Sequence, residues 1–84
     1  MSAEAAAIVR EFFTRRFPDT VIEDGDDIFA LGLATSLFTM ELVRFVERTF
    51  GFEVPDREMH MDNFRSIDAM SLLVARMKAT TPAG

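Results

Sequence analysis

Residues 27–55 read DIFALGLATSLFTMELVRFVERTFGFEVP, and the reading of this stretch decides the fold. Phe38, Leu42, Phe45 and Val46 recur at helical spacing and make one apolar stripe, while Glu41, Arg44, Glu47 and Arg48 fall opposite. Thr35 or Ser36 supplies a hydroxyl for the helix start, and Gly51 suits the left-handed position just past its end. The spacing therefore predicts a helix over 36–50, followed by a short extended piece, Phe52 to Pro55.

Working outward, Ala3 to Phe17 reads as a first helix. Ile8, Phe12, Phe13 and Phe17 lie on its apolar side, Arg10, Glu11, Arg15 and Arg16 on the other, and Pro18 ends it. Pro18 to Thr35 is a long connection. It mixes the acidic run Glu23-Asp24-Gly25-Asp26-Asp27 with Val21, Ile22, Ile28, Phe29 and Leu31, which predicts a loop pinned to the core. Asp56 to Phe64 has room for one or two helical turns. Ser66 then caps a last helix through about Met77, with Ile67, Met70, Leu73, Val74 and Met77 inward. No segment has the pattern of a sheet strand. The expectation is one all-α domain over 1–84, a four-helix bundle with a long first loop. Its third helix is short, and the ends, about 1–2 and 79–84, are expected to fray.

Composition narrows the chemistry. With 84 residues the chain forms one thin core, and 49% apolar content with nine Phe fills it. Without Cys there is no disulfide, thiolate metal site or thiol nucleophile. The longest apolar run, AAAIV at 5–9, is far short of the roughly 20 residues a membrane span requires. Glu4 and Glu11 spoil an export signal, so a cytoplasmic protein is expected. A net charge of −5 argues against nucleic acid as a partner. Residues 18–35 hold five acids and no base, an acidic segment suited to attracting basic protein surfaces.

The familiar catalytic patterns fail. His60, the single His, lies in a polar turn region, and Ser36 lacks the G-x-S-x-G elbow of a nucleophile. An EF-hand counted from Asp24 puts Phe29 where Gly is required and Thr35 where the bidentate Glu belongs. Met40, Met59, Met61, Met70 and Met77 are more simply core fillers than metal ligands. What remains is Ser36. It stands in the first turn of an amphipathic helix just after a Gly-containing loop, where the positive helix end favours a phosphate. Capping alone is much the simpler account of such a residue, and spacing does not reverse that.

The neighbouring residues change that balance. Asp27-Ile28-Phe29, Leu31-Gly32, Ser36-Leu37, Glu41-Leu42-Val43, Phe50 and Val54-Pro55-Asp56 together resemble an acyl carrier protein, over essentially the whole chain. The resemblance implies a four-helix bundle that catalyses nothing itself. It implies that Ser36 receives 4′-phosphopantetheine from coenzyme A, which supplies the thiol the chain lacks. A phosphopantetheinyl transferase using Mg²⁺, together with acyl-loading and acyl-modifying enzymes, follows as the set of partners. Leu37, Met40, Glu41, Arg44 and Glu47 on the second helix, with Asp26 and Asp27 in the loop, become candidate docking residues.

The likeness departs from the usual Gly-x-Asp-Ser. Leu33, Ala34 and Thr35 separate Gly32 from Ser36, so one residue is extra and Thr35 replaces the Asp. Arg44 and Arg48 make the second helix neutral, where fatty-acid carriers are generally acidic. Leu37-Phe38, Met40, Leu42-Val43, Phe45, Glu47 and Asp62-Asn63-Phe64-Arg65-Ser66-Ile67 resemble discrete carriers of glyceryl, hydroxymalonyl, methoxymalonyl or aminomalonyl polyketide extender units. That finer likeness implies an acyltransferase or ketosynthase of a polyketide synthase as a further partner, and a discrete, monomeric carrier. A peptidyl or D-alanyl carrier and a general polyketide carrier are the alternatives within the family. Outside it stands an unmodified acidic helical adaptor with an inert Ser36.

Overall fold

The computed structural model describes residues 2–80. Four α-helices appear in order: α1 Ser2–Arg16, α2 Ser36–Phe50, α3 Met61–Phe64 and α4 Ile67–Thr80, with one 3₁₀ turn, Asp56–Glu58, before α3. No strand forms among the described residues, and the all-α bundle with a short third helix is as expected. Ser2, Ala79 and Thr80, assigned to the fraying ends, are helical, while Met1 and residues 81–84 lie outside the described residues. None of the described helices is long and apolar enough to cross a membrane.

The core gathers Val9 and Phe13 from α1, Ile28 from the long loop, Leu42 and Val46 from α2, and Ile67, Met70 and Leu73 from α4. The stripe on α1 is rotated from the one expected. Ala5, Val9 and Phe13 are its buried residues, whereas Ile8, Phe12 and Phe17 are half-buried. The reason is that α1 serves two neighbours. Its small residues face α4, and Phe12 turns toward α2, where its ring stacks on Phe45 at 4.3 Å between centroids. Phe38 completes this aromatic cluster, edge-on to Phe13 at 5.7 Å and to Phe17 at 5.1 Å. On α2 the buried set is Phe38, Leu42, Val43 and Val46, with Phe45 only half-buried because its ring lies at the α1 seam.

The connection from 17 to 35 is pinned, as predicted, but by fewer apolar residues. Ile22 and Ile28 are buried, whereas Val21 and Leu31 are exposed. Val21 faces solvent although its neighbour Ile22 is buried, in a stretch that is neither helix nor strand. Backbone bonds finish the work. Ile28 N–H donates to Arg65 C=O at 2.7 Å, and Asp68 N–H donates to Asp24 C=O at 2.9 Å. Met40, Met59 and Met61 are also exposed, leaving Met70 and Met77 as the methionines that fill the core. At one end of the bundle a cavity of about 550 Å³ lies between Glu4 and Ile8 of α1, Thr49 and Phe50 of α2, and Val74 and Lys78 of α4.

Candidate functional site

The start of α2 is set by Thr35. Its backbone is extended (φ −71°, ψ 166°), and its Oγ1 accepts from Phe38 N–H at 3.1 Å, satisfying one of the helix's open donors. With Thr35 as the cap, Ser36 becomes the first helical residue. It is exposed, and no side chain of the described residues hydrogen-bonds its hydroxyl. Two independent attachments fix this end. Phe38 is anchored in the aromatic cluster, and Gly32, at φ +78°, lets the loop turn just before the helix. A serine hydroxyl thus stands at the positive end of a helix, with no carboxylate in the first turn to oppose a phosphate.

The other sequence candidates divide into two groups. Leu37 and Met40 are 73% and 61% exposed, and Arg44 is exposed beside them. They share the outward face of α2 with Ser36. The four acids instead hold the chain's own groups. Glu41 accepts from Arg16 Nη2 of α1 through both oxygens, at 2.8 and 3.2 Å. Glu47 Oε2 accepts from Val54 N–H at 2.9 Å and so ties the segment after α2 back to it. Asp26 Oδ2 accepts from Glu23 N–H, and Asp27 Oδ1 accepts from Phe29 and Ala30 N–H, closing two local turns.

Sequence reasoning missed the ion pairs made by two of these acids, Glu41 with Arg16 and Asp27 with Arg65, and by others near them. Arg10 pairs with Asp24 and donates to Ile22 C=O at 2.9 Å. Arg65 lies 2.7 Å from Asp62 and 3.6 Å from Asp27, bridging α3 and the long loop. Arg16 also sits over the Phe38 ring, 5.5 Å from its centroid. Apart from Arg65 and Asp62, three residues from one another, these partners are far apart in sequence, and no local pattern pointed to them. His60 is exposed at the N-terminus of α3 and makes no side-chain cap there. Among the described residues no group of His, Cys, Asp or Glu is arranged to hold a metal ion.

The placement of Ser36 fits a phosphodiester-linked arm, because the hydroxyl is accessible, uncapped and at a helix N-terminus. The family described as "Phosphopantetheine attachment site" matches residues 4–74, a span that includes most of α1, the loop, α2, α3 and the first eight residues of α4. D-alanyl carrier proteins of Streptococcus pyogenes serotypes M5 (strain Manfredo), M49 (strain NZ131) and M1 are each 38% identical over 68 residues. The alignment covers 80% of this chain and 84% of theirs. No solved structure matches the chain significantly. On the sequence match and the helical architecture together, the chain belongs to the phosphopantetheine-attachment family, as a non-catalytic carrier that holds 4′-phosphopantetheine covalently.

Proposed function

We propose that Ser36 is the attachment residue and that the chain presents a small acyl group to enzymes that load and use it. The observation that carries this reading is the exposed Ser36 hydroxyl at the first turn of α2, with Thr35 taking the capping role in its place. The arm supplies a thiol that forms a thioester, chemistry that this Cys-free chain has no means of providing itself. The chain's part is positional. Phe38 and the Thr35 cap hold the start of α2 rigid, so partners meet Ser36 at a fixed place on the surface. Leu37, Met40 and Arg44 form the centre of the docking face. Glu41 and Glu47 edge it, and Asp26 and Asp27 shape the loop that leads into it.

For the acyl group, D-alanine has the support of the streptococcal relatives. A polyketide extender unit is the second reading, supported by the residues 37–47 and Asp62-Asn63-Phe64-Arg65-Ser66-Ile67 quoted above. The deciding experiment is intact mass after incubation with coenzyme A, Mg²⁺ and a broad-specificity phosphopantetheinyl transferase. The parent is expected to gain one phosphopantetheine and Ser36→Ala none. No gain by the folded parent removes the carrier reading of Ser36 and leaves the acidic adaptor. The loaded chain is then offered D-alanine, ATP and a D-alanine–carrier ligase, or an extender acyl donor with its acyltransferase, and the mass identifies the group accepted.

A further inference from the structure

The outermost strip of α2 carries the opposite sign to the molecule, although the helix as a whole is neutral. At about 100° per residue, Leu37, Met40, Arg44 and Arg48 fall within a strip about 80° wide running down from the Ser36 end. Glu47 borders one side of the strip and Glu41 the other. Both are engaged within the chain, Glu41 with Arg16 and Glu47 with Val54 N–H. Arg44 and Arg48 are exposed, and neither has an ion-pair partner among the described residues. They stand four residues apart, a like-charge spacing that destabilises a helix by itself. Glu47 keeps its negative charge, since a backbone N–H is a neutral donor. The charge on and beside the strip with no ion-pair partner among the described residues is therefore two arginines against one carboxylate, net cationic. The arginines follow two large exposed apolar side chains, Leu37 and Met40, on a protein whose net charge is −5.

We infer that the proteins that dock at Ser36 meet α2 with an apolar surface flanked by carboxylates. The inference rests on the proposed role of Ser36 and adds the sign of its partner. Arg44 and Arg48 pair with the partner's acids, while Leu37 and Met40 enter its apolar ground. A basic partner surface is repelled at this face, whatever attraction the loop acids exert from a distance. The acids of the loop are in part already answered, Asp24 by Arg10 and Asp27 by Arg65.

The test uses the full ¹⁵N-labelled chain and two synthetic amphipathic helical peptides with the same Leu and Met positions, one flanked by Glu and the other by Lys. The Glu peptide is expected to shift the amide signals of residues 37–48 and to bind about fivefold tighter than the Lys peptide at low salt, as two exposed ion pairs imply. The preference shrinks at high salt. Arg44→Gln with Arg48→Gln removes it, and Arg44→Glu with Arg48→Glu reverses it, with far-UV circular dichroism reporting on the fold of each. Equal binding, preference for the Lys peptide, shifts outside α2 or no binding of either peptide overturns the inference. The attachment reading is judged separately, by the mass gained by the parent, a reaction in which neither peptide takes part.

Discussion

At Thr35 and Ser36 two adjacent hydroxyls have different work. Thr35 Oγ1 caps Phe38 N–H, and Ser36 is left exposed. Thr35→Ala is therefore expected to cost about 1 kcal/mol, which in a chain of this size lowers the thermal midpoint by roughly 4–8 °C. Thr35→Asp keeps the cap and is expected to hold the midpoint near the parent's. Ser36→Ala, at an exposed position that caps nothing, is expected to change stability by less than about 0.5 kcal/mol while abolishing phosphopantetheinylation. Calorimetry beside intact mass separates the two residues. From sequence alone the cap could be assigned to either residue, since spacing places a hydroxyl at a helix start without choosing between neighbours. The bond to Phe38 makes the choice.

The second helix was legible because its stripe is regular and both its ends carry local signals. Gly51 adopts φ +76°, and its N–H donates to Glu47 C=O at 3.0 Å. A methyl group added at Gly51 meets nothing within 4 Å, so Gly51→Ala is expected to cost only the backbone penalty, about 1–2 kcal/mol in urea unfolding. Phe38 is different. It is 3% exposed and contacts the rings of Phe12, Phe13 and Phe17 at once. Phe38→Ala is expected to cost about 3–5 kcal/mol and to loosen the start of α2 most, seen as lost amide-exchange protection there. On α1 sequence reasoning named Phe13 correctly but otherwise chose Ile8 and Phe12 where Ala5 and Val9 are buried. A helix wedged between two neighbours has apolar residues on more than one side, and periodicity alone does not say which side is innermost. The loop showed a related limit: its apolar residues were visible, but an irregular backbone has no period to say which of them face the core.

Across the whole molecule, the contacts that no local pattern reveals are the ones that lock the elements together. Arg76 of α4 donates to Glu58 Oε1 at 3.1 Å and to Asn63 Oδ1 at 2.9 Å, and Asn63 Nδ2 donates to Glu58 C=O at 2.7 Å. This clasp joins the 3₁₀ turn, α3 and α4. The hydrogen bond from Arg76, helped by the charge of Arg76 and a bond from Asn63, holds the Glu58 carboxyl below its ordinary value of 4.5 despite the opposing effect of burial. The ionised carboxylate therefore favours the fold. Its contribution is complete above pH 4.5 and is lost as pH falls through the lower folded value. Glu58→Gln is expected to flatten the acid limb of stability against pH, measured by urea midpoints between neutral and acid conditions. A different consequence follows from the cavity shared by Glu4, Thr49, Phe50 and Lys78. It brings the first turns of α1 and the last turns of α4 to the same end as the finish of α2, and 14 residues of helix, about 21 Å, separate that end from Ser36. The first described turn of α1 and the last of α4 thus lie away from Ser36, the proposed attachment residue, so a bulky domain fused beyond either is expected to leave Ser36 open to partner enzymes.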